Sequence, residues 1–269
     1  MDNIKKNIKQ YFPIEINEQK AKSHNIVNIE GIKIYFPYKP YPQQKTYMEK
    51  VVSTLNNQGS ISALESPTGT GKTLCLLCAI LGWMQQTKKE ISIYYGTRTV
   101  SQINNVLKEL KKTCYNLQFS FLASRVHTCL KFHKNQRIKM DNQILNEICE
   151  KYRNNLYKLK KGKLIQEFDI CEYYANEDFE LKNYNNIEDI EDLLKEGKKN
   201  KFCPYFYNIS KTKYCANLTF MTYNYILNPY IRKRINTFEK NAIVVLDEAH
   251  NICNILENLF SKKISINEL

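Results

Sequence analysis

The sequence has no uninterrupted run of about 18 apolar residues, so it predicts no membrane-spanning helix. Met1–Gln10 is polar and basic, and it lacks the apolar core that a secretory signal peptide needs. Without such a signal, the nine cysteines are expected to be free thiols or metal ligands rather than a disulfide framework.

Acidic residues are also scarce, with 27 Asp and Glu against 40 Lys and Arg, which gives a net charge of +13. This excess favours a polyanionic partner, and nucleic acid is the first candidate. Heavy use of Asn, Lys, Ile and Tyr indicates a compositional background, so a solvated basic surface is the alternative. With 269 residues and 43% hydrophobic side chains, the chain can bury the core of one large or two modest domains.

The stretch Glu65–Thr73 reads Glu-Ser-Pro-Thr-Gly-Thr-Gly-Lys-Thr and ends as a phosphate-binding loop does. A strand-like run, Ile61–Leu64, precedes it, and the apolar, helix-forming run Leu74–Leu81 follows. Glycines let backbone N–H groups close around phosphate oxygens at the helix start. A glycine-rich turn before a core helix is the alternative, since Ser66 stands where the first glycine usually does. The predicted nucleotide contacts are Ser66, Pro67, Thr68, Gly69, Thr70, Gly71, Lys72 and Thr73.

Strands and helices alternate along much of the chain, which predicts an α/β protein with a doubly wound parallel sheet. We expect a polar, partly disordered extension at residues 1–28 and a first half-domain at 29–126. A mostly helical insertion is expected at 127–215, and the α/β order resumes at 216–269. The predicted strands are Ile32–Phe36, Ile91–Tyr95, Leu117–Ala123, Leu218–Thr222 and Ala242–Leu246. The insertion should hold a helix at Ile144–Lys161 and an acidic helix from Ile187 that ends at Gly197.

An acidic pair follows the apolar strand Ala242–Leu246, in the sequence Asp247-Glu248-Ala249-His250. In a nucleotide hydrolase, Lys72 reaches the β- and γ-phosphates, while Thr73 and Asp247 hold Mg²⁺. Glu248 would then orient or deprotonate the attacking water. Because ligands gather at the carboxyl ends of parallel strands, Lys72 and Asp247 are expected to meet there.

The chain resembles the iron–sulfur branch of superfamily-2 DNA helicases, which includes the xeroderma pigmentosum group D and Fanconi group J enzymes. The resemblance follows the family's order over nearly the whole chain, and it rests on Phe36-Pro37-Tyr38, Tyr41-Pro42, Gln44, Leu64–Cys78, Thr97-Arg98-Thr99, Ser101-Gln102, Ser124-Arg125, Ile187–Gly197, Cys203-Pro204-Tyr205, Thr222–Tyr225 and Val245–Asn251. It implies a RecA-like motor domain of an ATP-dependent 5′–3′ DNA helicase acting in DNA repair, recombination or telomere maintenance in the nucleus. It also implies ATP and Mg²⁺ as ligands.

Further roles follow from the resemblance alone. Gln44 matches an adenine-contacting glutamine, and Phe36 and Tyr38 are possible walls of the same pocket, with a turn and helix cap as the alternative. Val100 stands where the family usually has histidine, so no contact is expected from that side chain. The implied DNA contacts, to single-stranded and forked DNA, are Arg98, Thr99, Arg125 and Asn224.

Four cysteines fall at the positions where the family binds a [4Fe–4S] cluster: Cys129, Cys149, Cys171 and Cys203. No two of them form a Cys-x-x-Cys pair, so their spacing alone is weak evidence for any metal. Cys215 is the rival fourth ligand, and a structural zinc site is the alternative to the cluster. The basic and aromatic stretch Lys151–Lys163 lies between these ligands and is a candidate DNA surface.

The family's arch and second motor domain are expected beyond Leu269, so the 269 residues match the first motor domain with its cluster insertion. Since the second domain closes over ATP, the chain alone is expected to have little helicase activity. The other hypothesis is a truncated nucleotide- and DNA-binding module that does no unwinding.

Overall fold

The computed structural model describes residues 9–67, 69–133, 141–162, 170–175, 187 and 189–261. The first elements are β1 (Glu15–Ile16), α1 (Glu18–Ala21), β2 (Asn25–Ile29), β3 (Ile32–Phe36), α2 (Pro42–Asn56) and α3 (Lys72–Thr87). They are followed by β4 (Ser92–Thr97), α4 (Val100–Lys112), β5 (Tyr115–Asn116), β6 (Phe119–Leu122), α5 (Arg125–Thr128), α6 (Leu130–His133) and α7 (Asn142–Lys160). The last are α8 (Glu172–Ala175), α9 (Ile190–Lys199), α10 (Pro204–Tyr214), β7 (Leu218–Thr222), α11 (Tyr223–Leu227), α12 (Pro229–Ile235), β8 (Ala242–Leu246), a 3₁₀ turn (Ala249–Asn251) and α13 (Ile252–Phe260). Among these helices, none combines the length and apolar character needed to cross a membrane.

A parallel sheet of four strands, in the order β6-β7-β4-β8, lies at the centre of the described structure. All six residues of β4 are buried, as expected for a strand with a partner on each side. The other strands form two antiparallel pairs, β1 with β5 and β2 with β3. The parallel sheet with its flanking helices confirms the predicted α/β class.

The predicted strand before the phosphate-binding loop is wrong. Residues 61–67 contain no strand, and Ile61 is 97% exposed. The run offers only Ile61 and Leu64 as large apolar side chains, which is too little surface for a strand buried on both faces. The loop is therefore joined to the core through α3, of which ten residues are buried.

The polar N-terminal stretch is more ordered than its composition predicts. Residues 9–28 include β1, α1 and most of β2, and Ile14 and Val27 are buried in the core. The Asn217 side chain donates a hydrogen bond to the Phe12 carbonyl at 2.9 Å, and the Lys9 ammonium lies 3.4 Å from a Glu239 carboxylate oxygen. These contacts replace the expected disorder of this part of the segment.

Gly197 does not end the acidic helix, contrary to the prediction, but lies inside α9 and is buried. A Cβ at this position would lie 2.8 Å from the Pro204 side chain and 3.1 Å from that of Leu130. The glycine is needed because α9 passes very close to both side chains. The longer predicted helix of the insertion is confirmed as α7, within two residues at its start.

Candidate functional site

The glycines of the phosphate-binding loop have backbone conformations that other residues rarely adopt. Gly69 and Gly71 have φ angles of 79° and 75°, in the left-handed region. α3 begins at Lys72, directly after Gly71. The unpaired N–H groups of its first turn therefore follow the loop at once, which favours an anion at this point.

Hydroxyl groups close this loop on itself. The Ser66 hydroxyl lies 2.6 Å from the Thr70 hydroxyl, which donates to the Pro67 carbonyl at 2.8 Å. The serine at the position of the usual first glycine thus contributes to the loop's internal hydrogen bonds. Thr68, also predicted to contact nucleotide, lies outside the described residues.

Gln44 connects α2 to the loop. Its side-chain oxygen accepts a hydrogen bond from the Tyr41 N–H at 3.0 Å, and its Nε2 donates to the Thr70 carbonyl at 2.9 Å. The predicted base-contacting glutamine therefore lies at the phosphate loop. Phe36, a possible wall of the same pocket, is fully buried in the core and cannot line it, whereas Tyr38 is 55% exposed.

The acidic pair lies at the carboxyl end of β8, and the Asp247 N–H donates to the Gly96 carbonyl at 2.9 Å. Burial raises the pKa of Asp247, the nearby Tyr95 hydroxyl lowers it, and the neighbouring Glu248 charge raises it. The Lys72 charge acts in the opposite direction and lowers this pKa. The fold thus brings Lys72 and Asp247, 175 positions apart in sequence, within electrostatic reach of each other.

Tyr95 is a site residue that the sequence did not reveal. It is fully buried on β4, and its hydroxyl is close enough to Asp247 and Thr73 for both to shift its pKa. Neither contact meets the distance and angle limits of a hydrogen bond in the described structure. Buried hydroxyls nearly always have a partner, so one without any indicates a place for a water molecule or an ion. A hydrated Mg²⁺ between Thr73 and Asp247 would supply that partner.

The backbone after Asp247 is held in an unusual conformation. Glu248 has a φ angle of 55°, and its carbonyl accepts a hydrogen bond from the Asn251 side chain at 3.1 Å. The Glu248 carboxylate lies 3.4 Å from the His250 ring nitrogen Nδ1. Arg98 donates to the Asn251 side-chain oxygen at 3.1 Å, so the loop after β4 contacts the acidic loop directly.

The four predicted DNA contacts lie in different surroundings. Arg98, Thr99 and Asn224 are exposed, although the Thr99 hydroxyl also caps α4 by accepting from the Gln102 N–H at 3.3 Å. Arg125 is only 5% exposed, and its guanidinium carbon lies 3.8 Å from the centre of the Tyr205 ring. Its Nη1 donates to the Asn146 side chain at 2.5 Å. These contacts indicate a structural role for Arg125 beside the cysteines. Its contact with DNA stays a prediction.

The four candidate cluster ligands share one neighbourhood. Cys129, Cys171 and Cys203 each directly precede a short or medium helix, and Cys149 lies within α7. Burial raises the pKa of all three helix-preceding thiols, for Cys203 to about 12, whereas backbone N–H groups of the following helix lower it. The charge of Cys149 raises the pKa of each of the three.

The described parts of the chain nevertheless contain no set of three or more His, Cys, Asp or Glu side chains gathered tightly enough to hold a metal ion. A single zinc ion requires its donors within about 2.3 Å of one point. In a four-iron cluster each thiolate binds a different iron, so its donors lie farther apart. A metal centre formed by the four cysteines therefore stays a prediction.

A protein-family model described as DEAD_2 matches residues 95–269, from Tyr95 through the acidic pair to the end of the chain. The chain belongs to the DEAD_2 family. Curated relatives include proteins named regulator of telomere elongation helicase 1 homolog. The protein from Drosophila yakuba is 33% identical over 90% of this chain, and the one from Caenorhabditis elegans is 33% identical over 87%. This DEAD_2 chain spans only 27% and 26% of the length of those relatives.

Solved structures agree with the fold of this DEAD_2 protein. A structure titled XPD_Helicase is 24% identical, with a TM-score of 0.55 over 82% of this chain and 34% of its own. A structure titled Truncated XPD is 25% identical, with a TM-score of 0.52 over 81% of this chain and 56% of its own. The helicase-like architecture is therefore shared.

Proposed function

We propose that this chain binds ATP with Mg²⁺ and forms the first motor domain of an ATP-dependent DNA helicase. The observation that carries the proposal is the combination of a glycine loop in left-handed conformation at the start of α3 with an acidic pair at the carboxyl end of β8. In this proposal Lys72 binds the β- and γ-phosphates, Thr73 and Asp247 hold Mg²⁺, and Glu248 activates water. Gln44 and the loop residues Ser66–Thr73 surround the nucleotide.

A DNA substrate is supported by the net charge of +13 and by the names of the relatives. We propose that Arg98, Thr99 and Asn224 contact the sugar–phosphate backbone, which makes binding sensitive to salt and insensitive to sequence. The proposal includes single-stranded and forked DNA, 5′–3′ movement, a role in repair, recombination or telomere maintenance, and a nuclear location. The domain limits 29–126, 127–215 and 216–269 belong to it as well.

A [4Fe–4S] cluster in the insertion is the second part of the proposal. Cys129, Cys149, Cys171 and Cys203 would hold it, and the cluster would cross-link the helices that carry these residues. Arg125 would hold the region together from the side, because it lies beside Cys149 and against the Tyr205 ring. Backbone N–H groups next to the three helix-preceding thiols favour their ionised form.

The alternative is a nucleotide- and DNA-binding module without unwinding activity. The 269 residues span only 27% of the length of a relative, which favours the binding-module hypothesis for these residues alone. The reason is that a second motor domain normally supplies the arginine finger. We propose that the complete helicase activity needs such a domain. Comparing unwinding by residues 1–269 with that of a longer chain separates the two hypotheses, since unwinding by the shorter chain would contradict the need for a second domain.

The nucleotide site is tested by titrating the chain with a fluorescent ATP analogue, with and without Mg²⁺. Lys72→Ala should reduce affinity at least tenfold, because it removes the cation that faces the phosphates. Lys50→Ala, at an exposed position of α2, is the matched control and should bind like the wild type. Equal affinity of the Lys72 variant and the wild type would refute the proposed site.

The cluster is tested on protein purified without oxygen. Iron and inorganic sulfide near four atoms each per chain, with broad visible absorbance, are expected. Cys203→Ser should lose most of the iron, whereas Cys215→Ser, at the rival ligand, should retain it. A colourless protein that contains zinc, or equal loss in both variants, would overturn the assignment.

A further inference from the structure

A cavity lies away from the nucleotide loop and the acidic pair. Its volume is about 600 Å³, and it is formed between the N-terminal segment, the end of α4 and the segment that leads into β6. This volume is typical of small-molecule sites, which span about 300–1,000 Å³. Apolar walls come from Phe12, Leu107, Leu110 and Phe119. None of the described residues that line it belongs to the proposed nucleotide site or to the four candidate cluster cysteines.

One charged side chain of this cavity is buried. Lys211, on α10, lines the cavity and is only 8% exposed. Its ammonium lies 5.7 Å from the centre of the Phe119 ring and 5.9 Å from that of Tyr207. Among the described residues, this ammonium has neither a hydrogen bond nor an ion pair, and its neighbours are the two rings and the Cys215 thiol.

A buried cation without an anion is rare in proteins, because removal from water is costly unless an opposite charge compensates it. Burial lowers the pKa of Lys211 to about 8, which still leaves most of the amine protonated at neutral pH. Aromatic faces stabilise the ammonium in part, but they leave its three N–H donors without an acceptor. The cavity therefore presents unused donors next to apolar walls.

We propose that this cavity binds a small amphipathic carboxylate, whose charged group pairs with Lys211 and whose apolar body packs against Leu107, Leu110 and Phe119. A single buried cation matches a single negative charge. Glu15, Lys20 and Lys111 also line the cavity, but these three are exposed, so Lys211 is the charged group that a bound carboxylate would meet in its buried part.

The bound carboxylate would join parts of the fold that are distant in sequence. Phe12 belongs to the N-terminal segment, Leu107 and Leu110 to α4, and Lys211 to the helix that follows Cys203. A ligand that contacts all three would stabilise their arrangement by mass action, because it binds only the folded chain.

The test uses the full 269-residue chain and four probe acids: benzoate, 2-naphthoate, indole-3-acetate and octanoate. At least one should bind saturably in calorimetry and raise the melting temperature, and its neutral amide should bind at least tenfold more weakly. No saturable binding of any of the four at millimolar concentration would overturn the proposal. Equal affinity of acid and amide would do the same.

Two variants locate the site. Lys211→Met keeps the length and apolar character of the side chain but removes the charge, and it should abolish binding of the probe acid. Lys213→Met, at an exposed position of the same helix, should retain it. A circular dichroism spectrum and a thermal transition like those of the wild type show that the Lys211 variant is folded. Binding by the folded Lys211 variant at wild-type strength would contradict the assignment.

The pH dependence of wild-type binding is a measurement that needs no variant. Because the carboxylate pairs with the protonated Lys211 amine, its affinity should be nearly constant around pH 7. The affinity should fall once the pH rises above the pKa of this amine. An affinity that does not change between pH 7 and pH 11 would refute the pairing. The other charged or titratable groups of the cavity and its surroundings are Glu15, Lys20, Lys111, Tyr115, Tyr207 and Cys215.

Discussion

Replacing Tyr95 by phenylalanine should stabilise the nucleotide-free chain and weaken its binding of Mg²⁺–nucleotide. The Tyr95 hydroxyl is buried at the centre of the sheet and has no hydrogen-bond partner in the described structure. Phenylalanine has the same ring and removes only this oxygen. The variant therefore measures two quantities separately. One is the stability that the hydroxyl costs in the nucleotide-free chain, and the other is the affinity that it contributes to binding of Mg²⁺–nucleotide.

The size of both effects follows from that geometry. A buried polar group without a partner costs about 1–3 kcal/mol, and the variant should recover a similar amount. For a chain of this size, each kcal/mol raises the melting temperature by about 2–4 °C. When a hydrated Mg²⁺ provides a charged partner, the lost hydrogen bond is worth about 1.5–3 kcal/mol, which corresponds to a roughly 10- to 100-fold weaker Mg²⁺-dependent affinity.

The assay is thermal unfolding of wild type and variant, first alone and then with saturating nucleotide and Mg²⁺ or EDTA. Tyr94→Phe is the matched control, because the Tyr94 hydroxyl donates to the Thr237 carbonyl at 2.8 Å and accepts from the Glu239 N–H at 3.1 Å. That control should destabilise the chain and leave the Mg²⁺ dependence unchanged. A Tyr95 variant that is less stable than the wild type without nucleotide, or that keeps full Mg²⁺ dependence, would refute the reasoning.

Three further predictions concern other parts of the molecule. The pKa of Lys211 is lowered from 10.5 to about 8, so between these two pH values the unfolded chain binds more protons than the folded chain, and the free energy of unfolding should rise with pH. Lys211→Met should remove this pH dependence and stabilise the ligand-free chain at pH 7 by about 3 kcal/mol. Urea unfolding at pH 7 and pH 10.5 measures both effects. Gly197→Ala should lower the free energy of unfolding by about 1–3 kcal/mol in the same assay, because its Cβ would lie 2.8 Å from Pro204, and an unchanged value would show that α9 can shift. Arg98→Ala should weaken single-stranded DNA binding and reduce its salt dependence by about one charge in fluorescence anisotropy, whereas an unchanged salt slope would argue against a phosphate contact.

Continuous apolar runs predicted the sheet well. The strands expected at Leu218–Thr222 and Ala242–Leu246 have the same limits in the structure. A parallel strand with helices on both faces must bury nearly every side chain, and β7 buries four of its five residues. β8, at the edge of the described sheet, buries only Val245 and leaves Val244 51% exposed. The strand expected at Ile61–Leu64 failed on the same criterion, since its apolar content is too low for burial on both faces.

Features that depend on tertiary packing were not visible in the sequence. Gly197 has the local signature of a helix end, yet its role is set by Pro204 and Leu130, which reach it from other elements. The hydroxyl of Tyr95 belongs to the candidate site only because β4 lies next to β8 in the sheet. In the sequence, Lys211 does not differ from the other basic residues of a basic chain. Its special surroundings, the rings of Phe119 and Tyr207, appear only in the structure.

Each half of the candidate nucleotide site was easier to predict than the cysteine region because the residues of each half are adjacent in sequence. The loop, its glycines and the following helix are adjacent in sequence. The acidic pair directly follows the apolar run that predicts β8. The four cysteines, in contrast, are separated by about 20 to 30 residues, so a site that joins them depends on the packing of several helices. Their number and type were readable from the sequence, and their joint role as cluster ligands stays a prediction.

The order of the sheet has a consequence for how the chain folds. Phe119 on β6 pairs with Leu218 on β7, so two neighbouring strands are separated by 99 positions of chain that include α5 to α10. Contacts between such distant positions form slowly, because a long loop must close before they contribute any stability. During synthesis, β4 and β6 emerge well before β7, which is the strand that joins them in the sheet. We expect the cysteine-bearing helices to assemble before the sheet closes, and a variant that delays their packing should slow refolding more than it lowers equilibrium stability.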